Sequence, residues 1–158
     1  MRAHKIYTRT IASDVKYDSQ MVAKLINAVM SDGKKSVSAK QVYDALTLLK
    51  EKTKTDEITY LTEALENVKP QMEVRSRRVG GASYQVPMPV RSDRKQSLAI
   101  RWIVDAARAR SNSSYHTFSE KLVAELVDAH EQAGNAIKKK LDTHRMADAN
   151  KAFSHFRW

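Results

Sequence analysis

Three short segments carry the residue types of catalytic motifs, and each fails at a position its chemistry needs. "SDGKKS" (Ser31–Ser36) ends like a phosphate loop. The first glycine of G-x-x-x-x-G-K-[ST] falls at Ala28, however, and the last position is Lys35. "HEQAG" (His130–Gly134) starts like a zinc protease helix, but Gly134 stands where the second histidine belongs. "GASYQ" (Gly81–Gln85) has Gln85 where a nucleophile elbow needs glycine. The five histidines show no ligand spacing, and His144 and His155 read as packing or partner-facing groups. Glu120 is better explained as a helix cap than as an acid catalyst. The residues therefore point away from an enzyme and call for no metal, cofactor or small-molecule substrate.

The chemistry that remains is electrostatic. Lys plus Arg outnumber Asp plus Glu by 28 to 18, a net charge of +10. Such an excess points to a polyanion, nucleic acid before anionic membrane. The charge is clustered. Residues 1–13 hold three basic groups and no acid, Arg75–Arg101 seven against one, and Lys138–Trp158 six against two. Asp44–Asn67 and Glu120–Glu131 are acidic by contrast. One Lys cluster alone reads as a solvated helix face; three in a chain of 158 residues read as a binding side. The middle cluster uses arginine in "MEVRSRRVGGASYQVPMPV" (Met72–Val90), with Arg75, Arg77 and Arg78 and no lysine. Arginine is preferred where a planar fork grips phosphate. The absence of cysteine excludes disulfides and thiolate metal sites and fits a reducing compartment. No run of about 18 apolar residues is present to span a membrane, and "MRAHKIYTRTIASD" has no signal-peptide core.

Helices must carry these groups. Met21, Val22, Leu25, Ile26 and Val29 follow the three-and-four spacing of one buried face. They predict a helix over Gln20–Ser31, capped by Asp18 or Ser19 and ended by Gly33. A second spans Ser36–Lys52 with Ala39, Val42, Ala45, Leu46 and Leu49 inward. A third begins near Asp56, carries Ile58, Leu61, Leu65 and Val68, and stops before Pro70. Ser92 caps a fourth over Asp93–Arg110, with Leu98, Ala99, Trp102, Ile103 and Ala106 as its stripe and Trp102 in the core. Thr117 and Glu120 form a capping box for a fifth, bearing Leu122, Val123, Leu126 and Val127. A sixth from Ala136 places Ile137, Leu141 and Ala149 on its inner face.

Between the third and fourth helices the period changes to two. Tyr84, Val86, Met88 and Val90 alternate with Gln85, Pro87 and Pro89. The two prolines share one parity, so they blunt one strand edge and the even residues face the partner strand Met72–Val79. Gly80-Gly81 supplies the positive backbone angles of a tight turn. The expected fold is all-α: one bundle of about six helices with one extended two-stranded β-hairpin. It forms a single domain over 1–158, with a basic arm over 1–17, the hairpin over 72–90 and a C-terminal segment over 148–158.

"NVKPQMEVRSRRVGGASYQVPMPV" (Asn67–Val90), "QSLAIRW" (Gln96–Trp102), "AIKKKLDTHRMADANKAFSHFRW" (Ala136–Trp158) and "LINAVMSDGKK" (Leu25–Lys35) closely resemble the bacterial-type small-subunit ribosomal protein seven family. The resemblance runs from about Asp18 to Trp158. It implies a helical bundle with a long hairpin that binds the 3′ domain of small-subunit ribosomal RNA and nucleates head assembly. It also implies a place at the subunit interface near the decoding centre, on a cytoplasmic ribosome or an organelle ribosome for an organelle-encoded copy. The implied partners are exit-site transfer RNA, messenger RNA and small-subunit proteins nine and eleven. Carried over by position and charge, the ribosomal-RNA-facing residues are Arg2, Lys5, Arg9, Lys34, Lys35, Arg75, Arg77, Arg78, Arg91, Arg94, Lys95, Arg101, Arg108 and Arg110. The tip, Arg78, Val79, Gly80, Gly81, Ala82 and Ser83, would face transfer RNA and messenger RNA. Two departures stand out: the N-terminal arm is sparse in arginine, and the loop Arg110–Phe118 is less basic than the family pattern. The rival is an architectural DNA-binding protein gripping a groove with a basic β-ribbon arm. Such arms often carry an apolar wedge, which Gly80-Gly81-Ala82 does not supply.

Overall fold

A computed structural model describes residues 11–156. The elements run α1 (Gln20–Val29), α2 (Lys35–Thr53), α3 (Glu57–Val68), β1 (Met72–Val79), β2 (Ala82–Pro89), α4 (Ser92–Ala109), α5 (Phe118–His130) and α6 (Gly134–Ala149). A 3-10 helix, Lys151–Phe156, follows. The expected all-α bundle with one hairpin between the third and fourth helices is the fold observed. Arg2, Lys5 and Arg9 lie outside the described residues.

α5 is the central helix. It packs against α2, α3, α4 and α6. That position explains why it buries polar as well as apolar residues: Ser119, Lys121 and Glu125 alongside Leu122, Val123, Leu126 and Ala129. Its start is the expected capping box. Thr117 Oγ1 accepts the Glu120 N–H at 3.2 Å, and Glu120 Oε2 accepts the Thr117 N–H at 3.3 Å. Thr117→Ala removes one acceptor and is expected to cost about 1 kcal/mol. A two-state urea titration reads that loss, and an unchanged midpoint would show the cap to be dispensable.

Local chemistry sets the other boundaries. Asp56 caps α3 by accepting the Thr59 N–H, and Lys69, before Pro70, leaves the helical region. α1 ends at Val29, two residues earlier than the periodicity predicts, because Met30 is extended. Asp32 and Gly33 then both take positive φ. Ser19 holds the N-cap position of α1 without a side-chain cap bond.

Two inner faces differ from expectation. In α4 the buried residues are Ala99, Ile100, Ile103, Val104, Ala106 and Ala107. Trp102 is only partly buried; it packs against the core at its edge and lines a cleft with Leu98, Val74 and Met146. In α6 the buried face is Ala136, Ile137, Thr143 and Ala147, and Leu141 is 56% exposed. Ala149 is exposed as well. Small residues let α6 lie close to its neighbours, and the Lys140 ammonium, donating to the Asn67 carbonyl at 2.7 Å, fixes its rotation.

The hairpin is antiparallel, in register from Met72↔Pro89 to Val79↔Ala82. The Val90 N–H donates to the Gln71 carbonyl at 3.0 Å, so the N–H groups of even residues point to β1 and the two prolines fall at the positions whose nitrogens point to the outer edge. Gly80 and Gly81 have φ of +56° and +93°. At the base, Val86, Pro87 and Val90 are buried, while Val74 and Met88 are half-buried. β1 rests on α6 and β2 on the 3-10 helix. There the Tyr84 ring lies 5.2 Å from both Phe153 and Phe156. No local periodicity announced this aromatic brace.

Candidate nucleic-acid interface

The hairpin base is where the basic residues converge. Alternation puts Glu73 and Arg75 on one face of β1, because residues two apart on a strand share a side. Glu73 is buried. Its Oε1 accepts Arg75 Nε at 2.7 Å, and its Oε2 accepts Arg94 Nε, from the first turns of α4, at 2.6 Å. Burial alone would disfavour the carboxylate, but the bonds from Arg94 and Arg75 outweigh it and hold its pKa below the ordinary value. Both arginine side chains remain about half exposed. Together with Arg91, the N-cap residue of α4, they line a cleft of about 350 Å³ whose other walls are Met88, Pro89 and Asp93. Lys95 lies alongside, its ammonium donating to Gln71 Oε1 at 2.7 Å.

Other expected residues form separate groups. Lys34 is the N-cap residue of α2 and Lys35 its first residue, both exposed, with no acid in the first turn. Cations at the positive end of a helix dipole cost stability. Their placement suits an external anion better than it suits the helix. Arg101 lies with Lys24 along a cleft between α1 and α4. Arg108 is exposed but partly spent on structure: its Nη2 donates to the Val29 carbonyl at 3.0 Å and so caps the end of α1. Arg77 and Arg78 stand near the tip, Arg77 opposite Tyr84 and Arg78 opposite Ser83.

Arg110 is a correction. Expected to face RNA, it turns inward and is 14% exposed. Its Nη2 lies 2.6 Å from Glu125 Oε2, and it also pairs with Asp128. Burial opposes its charge, yet the bonds to Asp128 and Glu125 prevail and raise its pKa. Two carboxylates one helical turn apart on α5 are what draw it in. His144 is likewise a packing group, accepting the Gln71 N–H at 3.0 Å. Sequence reasoning missed Glu73, although its i,i+2 spacing from Arg75 was a usable signal. Among the described residues no group of His, Asp and Glu is arranged to hold a metal, and no helix is long and apolar enough to cross a membrane.

Comparison with known proteins places this geometry. Residues 1–151 match the family model described as ribosomal protein S7p/S5e. A protein of Paramagnetospirillum magneticum named small ribosomal subunit protein uS7 is 54% identical over 157 residues, covering 99% of each chain. Its namesake in Thermotoga petrophila is 52% identical over 158 residues, the whole of both chains. That of Methylocella silvestris is 51% identical over 99% of each. A helical bundle with an arginine-lined hairpin base, matched over nearly its full length, leaves one conclusion: the chain belongs to the ribosomal protein S7p/S5e family, whose members are structural components of the ribosome and not enzymes.

Proposed function

We propose that the protein is a structural constituent of the small ribosomal subunit that binds the 3′ domain of small-subunit ribosomal RNA and nucleates assembly of the head. The arginine-lined cleft at the hairpin base is the observation that carries this reading. The helices supply a rigid platform, and the arginines and lysines neutralise phosphates where RNA segments converge. Specificity comes from RNA shape, since the interface carries few groups suited to base edges. The hairpin base anchors the protein, while Arg78–Ser83 reaches toward exit-site transfer RNA and messenger RNA near the decoding centre. Small-subunit proteins nine and eleven are its neighbours in this reading. As a member of a ribosomal family with bacterial relatives, the protein works on the cytoplasmic ribosome; an organelle-encoded copy would use the same surface.

Affinity for a 3′-domain transcript across a salt series tests the reading. With about seven phosphates neutralised, the slope of log affinity against log salt is expected near −5 to −6. A flat slope would refute phosphate neutralisation. Equal binding to DNA of the same length would favour the architectural alternative.

A further inference from the structure

We propose that Glu73 is the positioning residue of a built phosphodiester site at the hairpin base, in which its buried carboxylate holds Arg75 and Arg94 as a fork facing the cleft they share with Arg91. This rests on the ribosomal-RNA-binding reading above and specifies how one phosphate is held within it.

The cleft differs from an ordinary basic surface in having an acid beneath it. An exposed arginine samples many rotamers and must be ordered when RNA arrives, which costs entropy on binding. Here the ordering is already done. Arg75 uses Nε and Nη2 on Glu73 Oε1, and Arg94 uses Nε on Glu73 Oε2. Nη1 of Arg75 and both Nη groups of Arg94 have no protein partner among the described residues. Those are the donors a phosphate oxygen pair needs for bidentate contact. The two arginines come from different elements, β1 and α4, so Glu73 also fixes the spacing between strand and helix.

Net charge favours an anion here. Arg75, Arg91, Arg94 and the neighbouring Lys95 supply four positive charges, against two negative ones from Asp93 and Glu73. Arg91 is extended at φ −68°, ψ 151° and gives α4 no side-chain cap bond. The start of an 18-residue helix therefore adds its positive dipole end to the same cleft.

The inference reverses the sign that simple electrostatics gives. Glu73→Gln raises the protein's net charge by one, so a uniform basic surface would bind RNA more tightly. A preorganised fork binds more weakly, because a neutral amide is a poorer acceptor for two guanidinium groups. The experiment measures affinity for a small-subunit ribosomal RNA 3′-domain transcript at fixed salt, with melting temperature recorded for each variant. Glu73→Gln is expected to bind about tenfold more weakly, a loss of about 1.4 kcal/mol. The same substitution in an Arg75→Lys/Arg94→Lys background is expected to cost less than about twofold, since no fork remains to be held.

Equal or tighter binding by Glu73→Gln overturns the inference. So does an equal loss in both backgrounds, which would mark Glu73 as merely structural. If Glu73→Gln does not fold, Arg94→Lys decides: about tenfold weaker binding supports the fork, and parental affinity overturns it. A parent protein that binds the transcript without salt dependence would refute the ribosomal-RNA reading itself, a result distinct from all of these.

Discussion

Glu125→Ala is expected to destabilise the protein by about 3–5 kcal/mol, the usual loss when one partner of a buried ion pair is removed. Glu125 is 0% exposed. Its Oε2 accepts two bonds from Arg110, at 2.9 and 2.6 Å, and its Oε1 accepts the Ala136 N–H at 2.9 Å. One side chain of α5 thus holds the end of α4 and caps the start of α6. Lys121 reinforces the joint, its ammonium donating to the Arg110 carbonyl at 2.7 Å. Alanine would strand the Arg110 guanidinium on Asp128 alone and leave the Ala136 N–H without its acceptor. For a chain of this size the melting midpoint falls by about 2–4 °C per kcal/mol, so a drop of about 6–20 °C is expected by calorimetry. Glu125→Gln keeps an acceptor for Ala136 and is expected to lose less. A midpoint for Glu125→Ala within about 2 °C of the parent would show that the joint contributes little.

That joint was invisible in the sequence, and the reason is physical. Arg110 and Glu125 are 15 residues apart, Glu125 and Ala136 eleven. Pairings of that separation have no periodicity to betray them. Charge counting even pointed the wrong way, placing Arg110 with the RNA-facing residues. What was legible rests on short-range rules. The Thr117–Glu120 box, the stop before Pro70 and the turn at Gly80-Gly81 each follow from groups within four residues of one another. The outward parity of Pro87 and Pro89 was readable for the same reason, since a missing N–H has a fixed direction once the strand is assigned. The inner face of α6 was not. Leu141 is large and apolar but exposed, while Thr143 and Ala147 are small enough for close approach to β1 and α4. The six-residue 3-10 helix is too short to show a period, so the contact of Phe153 and Phe156 with Tyr84 was not legible.

The arginines consequently divide into groups that composition alone merges. Arg110 is structural, Arg108 is shared between a helix cap and the surface, and Arg75 and Arg94 are surface groups aimed by a buried acid. Arg77 and Arg78 lie farther out along the hairpin, beyond the packed base. A substitution series that treated all of them as equivalent charges would average opposite effects. Arg110→Lys tests stability, whereas Arg94→Lys tests recognition.

Removing Arg78–Ser83 and joining Arg77 to Tyr84 through Asn-Gly is expected to leave the fold and subunit incorporation intact while weakening what the tip does. The cut deletes two cross-strand pairs, Arg78↔Ser83 and Val79↔Ala82. An even number preserves the ladder's parity, so Arg77↔Tyr84 takes the turn-closing position that Val79↔Ala82 now holds. Asn-Gly suits a two-residue turn with positive φ at both positions, the geometry Gly80 and Gly81 adopt. The base is untouched: Val86, Pro87 and Val90 stay buried, Glu73 keeps both arginines, and Tyr84 keeps Phe153 and Phe156. Nothing lies within 4 Å of a Cβ built at either glycine; Arg78, Ala82 and Ser83 are exposed and only Val79 is half-buried, so the tip contributes little packing. The melting midpoint is therefore expected to stay within about 3 °C of the parent. Subunits carrying the shortened hairpin are expected to release exit-site transfer RNA faster and to hold the reading frame less faithfully. Purified subunits, checked for the protein's presence, provide both measurements. Parental values for both would show the tip to be dispensable, and exclusion of the shortened protein from the subunit would make the tip an assembly element instead.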